Sequence, residues 1–588
     1  MLIRIPKLRS LCLIGLAGAM SLAQDASSAD RRNTDVIHTE TVFKMPVFRS
    51  LPEWEKRAAQ LREQVQFAAG LDPMPDKTPL HPQIFGRIDA NGYSIEKVLL
   101  ETMPGYFLGG NLYRPRGRTG RFPGIATPHG HWAYGRLEHQ PLGSVPARCI
   151  TLARQGYVVF AYDMVGYNDT QQTPHDFTGQ REQLWGFTPL GLQTWNSIRV
   201  VDFLTSLPDV DPAKIGATGA SGGATQTFML TALDQRVKWS APVNMISGIM
   251  QGGSFCENAP GLRFDTFNVE IAALMAPRPM LMVAATGDWT INTPRQEYPA
   301  MRDIYALYGQ AALVESVQVD APHNYNQQSR ELMYRFFARH ILGVREPGQD
   351  YAERNVNVEP LDKMLALFGR GLPEGALTYE QLLAQWIAAA RRQIALAQNE
   401  GPAQRRRMML ALGAEWPAAV EAAGTGEALR LSRTGRGDLV RALRRGTGRL
   451  STLVVHPEGA ESGWRAQPLD GALYLTAFQT GSAVAARDRS HRHFLTFNRT
   501  DDANRVQDVL TALRWMETQG HKQVRLQCSG KAAVWCTFAA AVSPLRVELD
   551  APLGSFRGTD AELIDSFFVP GIQRAGGLKV ALQLTGTN

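Results

Sequence analysis

One short stretch constrains the fold of this chain more than any other: the run Gly219-Ala220-Ser221-Gly222-Gly223. Residues 213–218 before it are predicted to form a buried strand, and the apolar spacing through Leu233 predicts a helix after it. A serine at the tip of such a strand-to-helix turn sits in strained backbone and needs small neighbours. The pattern predicts a nucleophile at Ser221. The alternative is an ordinary glycine-rich helix start that the serine caps.

Two further polar residues follow Ser221, and each stands just beyond a predicted strand. The aliphatic run 279–285 leads to Asp288, and the strand pattern 317–320 leads to His323. The order serine, aspartate, histidine on a strand-and-helix chain predicts that these three residues form a catalytic triad.

A loop earlier in the chain is a candidate to supply part of the oxyanion hole. The strand pattern 122–127 is followed by Pro128-His129-Gly130-His131-Trp132. We expect the backbone N–H groups of Gly222 and His131 to form an oxyanion hole, and His129 to hold the loop by hydrogen bonds.

Aromatic and basic side chains on the loops after the strands are candidate substrate contacts, since rings there can stack on sugar faces. Each of these side chains is at least as likely to serve in packing as in substrate binding. The candidates are Trp132, Tyr134, Arg136, Trp185 and Trp289.

Length and composition bound the remaining possibilities. A chain of 588 residues is too long for one ordinary core, so at least two domains are expected. The net charge is +7, but the basic residues are dispersed and carry no nucleic-acid reader motif. The sparse cysteines are predicted to be buried and unpaired, and no Cys/His group has zinc-ligand spacing. We therefore expect neither a metal nor an organic cofactor, and no nucleic-acid partner.

The N-terminus has the pattern of a secretory signal. Basic residues precede an apolar run from Leu11 to Leu22, and small residues suited to cleavage end it. We predict a signal peptide at 1–23 and export to the periplasm or beyond. An uncleaved anchor is the alternative, but the run is shorter than the roughly 20 residues of a membrane span.

Composition and apolar spacing divide the rest of the chain into four segments. The expected segments are an N-terminal extension with an amphipathic helix (24–84), a catalytic domain (85–345), a linker and helical segment (346–447) and a second domain (448–588). Residues 199–207 and 505–513 share six residues in register, and each copy leads to a Ser-Gly pair, at Ser221 and at Ser529. We also expect residues 494–497 to form a strand that corresponds to the strand at 158–161.

This repeat predicts a degraded hydrolase-like second domain. No histidine follows Ser529, so its serine would lack a base. We expect this domain to pack against the first and to shape the substrate cleft. Coincidence between two helices is the alternative explanation of the repeat.

From about residue 85 to 343 the chain resembles the acetyl xylan esterase and dienelactone hydrolase branch of the α/β-hydrolases. The motifs that carry the resemblance are Pro-His-Gly-His-Trp (128–132), Gly-Ala-Ser-Gly-Gly (219–223), Ala-Pro-Arg-Pro-Met (276–280), Thr-Gly-Asp-Trp-Thr (286–290) and Ala-Pro-His-Asn-Tyr-Asn (321–326). The resemblance implies an α/β-hydrolase fold, a mostly parallel twisted sheet with helices on both faces, followed by the smaller second domain. It also implies Ser221, Asp288 and His323 as the triad.

The resemblance implies a serine esterase, and together with the predicted export and the aromatic loops it favours a carbohydrate ester as substrate, either a small molecule or a polysaccharide. The chain differs from the deacetylases of this branch at 165–167, where they have Arg-Gly-Gln, and at Asn324, where they have Glu. Esters other than acetates are therefore also candidate substrates.

Two functions other than ester hydrolysis are alternatives. One is a peptidase of prolyl-oligopeptidase type, although the about 60 residues before the first strands cannot build a propeller. The other is a non-catalytic carbohydrate-binding or surface-binding protein.

Overall fold

The computed structural model describes residues 29–397, 399–424 and 427–586, so the predicted signal peptide lies outside the described residues. The first large sheet and a short hairpin span residues 83 to 322. Their strands are β1 (Gln83–Ala90), β2 (Tyr93–Met103), β3 (Tyr106–Pro115), β4 (Phe122–Pro128), β5 (His139–Gln140), β6 (Gly143–Ser144), β7 (Val158–Tyr162), β8 (Val210–Ala220), β9 (Val237–Val243), β10 (Met280–Gly287) and β11 (Val314–Pro322).

Nine of these strands form one sheet in the order β1-β2-β3-β7-β4-β8-β9-β10-β11. The three pairs from β1 to β7 are antiparallel, and every pair from β7 to β11 is parallel. Since the carboxyl ends of parallel strands meet at one edge of a sheet, the loops after β4, β8, β10 and β11 meet there. This confirms the mostly parallel sheet predicted from the sequence.

Helices cover both faces of this sheet, because residues of its strands point alternately into two separate cores. Phe160 of β7 belongs to the core on one face and Val159 to the core on the other. The helices are α1 (Arg31–Thr34), α2 (Leu51–Ala68), α3 (Val145–Gln155), α4 (Gln180–Leu184), α5 (Pro189–Ser206), α6 (Gly222–Leu233), α7 (Asn268–Ala272), α8 (Glu297–Leu307) and α9 (Gln327–His340).

Side-chain caps fix where the helices begin. Ser50 Oγ accepts a hydrogen bond from Glu53 N at 3.4 Å, so α2 begins at Leu51 as the sequence predicts. Thr188 caps α5 in the same way, and a proline follows it. The helix therefore begins at Pro189. Within the described residues, no helix combines the length and the apolar character that a membrane crossing needs.

A second sheet lies in the C-terminal part of the chain. Its strands are β12 (Val420–Ala423), β13 (Ala428–Arg433), β14 (Val440–Arg445), β15 (Thr452–Val455), β16 (Ala472–Thr476), β17 (Gln523–Cys528) and β18 (Arg546–Asp550). The helices of this part are α10 (Leu361–Met364), α11 (Tyr379–Leu396), α12 (Gly401–Leu412), α13 (Ala460–Ala466), α14 (Phe494–Phe497), α15 (Asp501–Thr518), α16 (Ala532–Val542), α17 (Asp560–Ser566) and α18 (Gly577–Thr585).

The second sheet repeats the first. Its order is β12-β13-β14-β16-β15-β17-β18, with three antiparallel pairs followed by three parallel pairs. This matches β1-β2-β3-β7-β4-β8-β9 strand for strand. Helix α15 lies between β16 and β17 as α5 lies between β7 and β8, so the two copies of the sequence repeat occupy equivalent places. Within the described residues, the second sheet has no counterpart of β10 and β11.

Three details differ from the sequence-based expectations. The second sheet begins at Val420, inside the segment expected to be linker and helix. Its first three strands were not recognised in the sequence because they are short and have several exposed positions. Residues 494–497 form a helical turn, and β16 is the counterpart of β7. Cys528 and Cys536 form a disulfide between β17 and α16, whereas Cys149 and Cys256 are buried and free.

The two parts of the chain are joined by many contacts. The N-terminal arm, residues 30–43, crosses from one to the other. Arg32 Nη1 donates to Asp508 Oδ1 of α15 at 2.5 Å, and Phe43 N donates to Gly248 O of the first domain at 2.7 Å. The loop 247–264 of the first domain also bonds the second, through Gly261 N to Leu495 O at 2.9 Å.

Candidate active site

Ser221 stands at the turn between β8 and α6 with a backbone φ of +58°, a region that side chains other than glycine rarely adopt. A Cβ added to Gly219 would lie 2.5 Å from Gly223 O and 2.7 Å from Pro128 O. Only glycine fits there, which is why the pattern Gly-x-Ser-x-Gly forms this turn. The strain places the serine side chain at the N-terminus of α6, where free N–H groups and the helix dipole favour negative charge.

Asp288 and His323 form a hydrogen-bonded pair at the ends of β10 and β11. His323 Nδ1 donates to Asp288 Oδ2 at 2.8 Å, and Asp288 Oδ1 accepts from Thr290 N at 2.7 Å. The Asp288 side chain is 2% exposed, so the pair is held in a site of low solvent access. The ring of Trp289 lies 4.4 Å from that of His323.

The other ring nitrogen of His323 is available for chemistry. Nε2 is buried and has no hydrogen-bond partner among the described residues. Because Nδ1 carries the proton donated to Asp288, Nε2 has a free lone pair. Ser221, Asp288 and His323 follow strands β8, β10 and β11, so all three lie at the carboxyl edge of the sheet. Ser221 N is anchored there by a 3.1 Å bond to Val243 O at the end of β9.

The 128–132 loop after β4 packs directly against the serine turn. A Cβ on Gly130 would lie 2.8 Å from Ala220 O and 3.2 Å from Ser221 Cβ. A Cβ on Gly222 would lie 2.6 Å from His131 Cε1. The loop and the start of α6 therefore border the serine from two sides, where the sequence analysis expected the two oxyanion donors.

His129 holds this loop as a neutral residue. Its Nε2 accepts from Met164 N at 2.9 Å, so the proton is on Nδ1, which donates to Gly130 O at 2.7 Å. Burial lowers the pKa of His129 to about 3, which keeps the ring uncharged at neutral pH. This agrees with the structural role expected from the sequence.

A cluster that the sequence analysis did not find lies beside the loop. The ligand-type atoms of His131, His175 and Cys256 lie within 4.8 Å of one another, and this set could hold a divalent ion. His131 Nε2 is 3.0 Å from Cys256 Sγ, a hydrogen-bond distance, and His175 Nδ1 bonds Val165 O at 2.7 Å. Burial raises the pKa of the Cys256 thiol well above its usual value. Because 125 positions separate His131 from Cys256, no local spacing pattern could indicate the cluster.

Two of the predicted substrate contacts, Trp132 and Trp289, lie near the serine and the histidine, and a third, Tyr134, is exposed. Trp289 lies against His323, and Trp132 is part of the 128–132 loop, with its ring 2.9 Å from the position of a Cβ on Gly143. Tyr134 is 57% exposed, which leaves its ring free to contact a ligand.

Arg136 is not a substrate contact, contrary to the prediction. Its side chain is fully buried, its guanidinium pairs with both Asp163 and Asp169, and its Nε donates to Asn111 Oδ1 at 2.8 Å. Burial raises the pKa of Asp163 to about 6, and the opposing effect of Arg136 is smaller. The arginine holds the loop after β7 to β3.

Trp185 is also not a substrate contact. It is buried, its Nε1 donates to Asp560 of the second domain at 3.1 Å, and the guanidinium of Arg391 lies 5.1 Å from the centre of its ring. The tryptophan therefore joins the two domains. A sequence pattern places an aromatic residue on a loop but does not show which surface covers it.

The strand order, the strained serine turn and the Asp288–His323 pair define the fold as that of an α/β-hydrolase. No family model matches the chain. It is 26% identical over 240 residues to the putative hydrolase YtaP of Bacillus subtilis (strain 168), which covers 37% of this chain and 78% of YtaP. It is 27% identical over 153 residues to the polyketide transferase claH of Penicillium crustosum, which covers 26% of this chain and 44% of that protein.

Among solved structures, the methylesterase BT1017 is similar with 29% identity and a TM-score of 0.51, over 59% of this chain and 78% of that one. A putative acetyl xylan esterase (BF1801) from Bacteroides fragilis shares 16% identity with a TM-score of 0.39, over 53% of this chain and 83% of that one. The chain thus has an α/β-hydrolase fold and is similar to a methylesterase over 59% of its length.

Proposed function

We propose that this protein is an exported serine esterase that hydrolyses ester groups on a carbohydrate. The hydrogen bond between His323 Nδ1 and Asp288 Oδ2, at the sheet edge where Ser221 occupies its strained turn, carries the proposal. A serine hydroxyl is a weak nucleophile unless a base takes its proton, and an oriented histidine supplies that base.

In the proposed mechanism, His323 Nε2 takes the proton from Ser221 Oγ as the oxygen attacks the ester carbonyl. Asp288 fixes the ring tautomer and stabilises the imidazolium that forms. The oxyanion accepts hydrogen bonds from the backbone N–H groups of Gly222 and His131, at the positive end of the α6 dipole. The leaving alcohol then takes the proton from His323.

Deacylation repeats these steps with water as the nucleophile. His323 Nε2 takes a proton from the water as it attacks the acyl-enzyme, and Ser221 leaves with that proton. The residues in place need no metal or organic group for either half of the reaction.

The substrate class follows from the site and the similar proteins. Trp132, Tyr134 and Trp289 give the site aromatic surfaces suited to sugar faces. Similarity to a methylesterase favours a methyl ester, which in a carbohydrate is the ester of a uronic acid carboxylate. An acetyl ester on xylan is the second candidate, from the sequence resemblance. The predicted signal peptide places the reaction outside the cytoplasm.

The decisive experiment compares Ser221→Ala with Ser529→Ala, its counterpart at the turn after β17. The two substitutions remove the same hydroxyl from equivalent turns, but Ser529 does not have the positive φ of Ser221. Hydrolysis of p-nitrophenyl acetate, acetylated xylan and methyl-esterified polygalacturonate is measured for each. We expect Ser529→Ala to keep wild-type rates and Ser221→Ala to lose at least about a thousandfold in kcat.

The substrate that the wild type prefers assigns the ester. Unchanged activity in Ser221→Ala would contradict the serine mechanism. Inactivity of the wild type on all three substrates would contradict the esterase proposal itself.

A further inference from the structure

A pocket of about 250 Å³ lies where the two domains meet. The first domain lines it with the rings of Phe177, Phe187 and Phe255 and with Gln183, and the second domain lines it with the loop 489–496. An aromatic pocket with a few polar groups is the usual form of a small-ligand site.

The pocket lies close to the serine. Phe255 precedes Cys256, whose Sγ is 3.0 Å from His131 Nε2, and the His131 ring lies against Gly222. The pocket is therefore linked to the start of α6 through Phe255, Cys256 and His131.

Arg492 supplies the pocket with an uncompensated positive charge. Its guanidinium lies 4.8 Å from the centre of the Phe255 ring, and its Nη1 donates to Gly253 O at 3.3 Å. Among the described residues, no carboxylate pairs with it, whereas the nearby Arg489 pairs with Asp501 at 2.6 Å. Arginine presents a planar fork that matches a carboxylate.

Two further polar side chains in the pocket lack hydrogen-bond partners of normal geometry. His493 is 7% exposed, and neither of its ring nitrogens makes a hydrogen bond of normal geometry to a described residue, although the Gly253 backbone interacts with the ring. Gln183 Oε1 is buried and is likewise unpartnered. Buried polar groups are rarely left without a partner, so both groups point to a ligand rich in hydroxyl groups.

We infer that this pocket binds an acidic sugar residue of the substrate, with Arg492 on the carboxylate, His493 and Gln183 on hydroxyl groups and the phenylalanine rings on the sugar face. The inference rests on the proposed function for the link to catalysis, but the binding itself does not require it. The second domain has lost the strands that would carry an acid and a base, and its role in the molecule is then to complete the substrate site.

The test is a binding titration with the full-length protein. The probe is an oligomer of galacturonic acid with free carboxylates, and a neutral xylose oligomer of the same length is the control ligand. Arg492→Ala is compared with Arg430→Ala, which removes the same charge from an exposed position on β13 outside the pocket. At low salt we expect Arg492→Ala to weaken binding of the acidic oligomer about fivefold to tenfold, and Arg430→Ala to leave it unchanged.

Two additional measurements separate recognition from general effects. Arg492→Lys keeps the charge without the planar fork, so we expect it to retain part of the affinity. High salt should remove most of the difference between wild type and Arg492→Ala, because this side chain is exposed. Thermal melting of each variant establishes that it is folded.

The outcomes distinguish this inference from the proposed function. Equal affinity of wild type and Arg492→Ala for the acidic oligomer, or no measurable binding by the wild type, overturns the inference, whatever the esterase activity. Binding that depends on Arg492 in a protein that hydrolyses no ester supports the acidic-sugar site and refutes the esterase proposal.

Discussion

His323 is oriented by contacts to two parts of its ring. Its Nδ1 bonds Asp288, and its face lies against Trp289, which leaves only Nε2 free of a partner. Of these contacts, only the carboxylate selects the tautomer, because only it accepts the Nδ1 proton. Catalysis should therefore depend far more on Asp288 Oδ2 than on the contact between the rings of His323 and Trp289.

We predict that Asp288→Asn lowers kcat about ten-thousandfold with little change in KM, since an amide can reverse the tautomer without altering shape. Steady-state kinetics on the best ester substrate measures the effect. Asp320→Asn, an exposed carboxylate two residues before the end of β11, is the matched control and should change neither constant. A loss of less than tenfold in Asp288→Asn would remove Asp288 from the triad.

His129 makes the serine site sensitive to acid. Its pKa is about 3 in the folded protein and near 6.5 when unfolded, so its contribution to stability is complete above pH 6.5 and is lost as the pH falls. Between pH 7 and pH 5 this amounts to about 2 kcal/mol. The urea concentration that abolishes activity should therefore fall more steeply with acid in the wild type than in His129→Gln. Parallel pH profiles for the two proteins would contradict the buried neutral histidine.

Among the elements, β17 and α16 form the counterpart of the serine turn, and the second domain stabilises it differently. In the first domain, glycines and a strained serine form the turn. In the second, the Cys528–Cys536 disulfide joins the strand to the helix, and the positive φ falls on Gly530. Since the proposed nucleophile is Ser221, the turn of the second domain does not need to hold its serine in a strained backbone conformation.

We predict that replacing both cysteines with alanine destabilises the second domain by about 2.5 kcal/mol, the loop-closure value for a bond that spans eight residues. Chemical unfolding followed by tryptophan fluorescence measures the loss. A reducing agent should lower the stability of the wild type to the same extent and leave the double variant unchanged. Alkylation of both Cys528 and Cys536 in the unfolded, unreduced protein would show that the disulfide does not form.

The elements that local sequence determines were predicted well. The glycines around Ser221 dictate the turn, and the aliphatic runs before Asp288 and His323 dictate the strands that carry them. The wrong secondary-structure assignments concern segments whose conformation depends on tertiary contacts. Strands β12 to β14 were assigned to the linker because they are short and because β13 and β14 carry several arginines. Phe494–Phe497 has strand-forming residues in a helical turn.

The same limit applies within the candidate site. Arg136 and Trp185 stand on loops where a substrate contact is plausible, but residues far along the chain bury both of them. His175 and Cys256 became neighbours of His131 only through folding. Spacing along a sequence reports helices, strands and turns, but it does not report which distant surfaces meet.

At the scale of the whole molecule, the N-terminal arm joins the two domains through a buried ion pair. The Asp508 side chain is 1% exposed, burial raises its pKa to about 6, and Arg32 opposes that shift. Removing one partner of such a pair leaves a buried charge without compensation, which costs more than the pair contributes.

We predict that Arg32→Ala destabilises the protein by about 3 kcal/mol, measured by chemical unfolding. Arg31→Ala, which removes a neighbouring arginine that is 64% exposed, should cost less than about 1 kcal/mol. The double variant Arg32→Met with Asp508→Leu should regain part of the loss, since it removes the buried Asp508 charge but leaves Asp30, which pairs with Arg32 at 2.6 Å, without a partner. Equal effects of the two single variants would show that the arm is not held by this pair.

The arm also sets the order of assembly. Arg32 is among the first described residues to be synthesised, but Asp508 follows it 476 positions later. At about 5–20 residues per second, synthesis of the intervening chain alone takes roughly half a minute to a minute and a half, and the binding surface of the arm exists only after that. A segment that is made early is therefore among the last to be secured. Protection of the arm from a protease would report directly that the second domain has been completed and has folded.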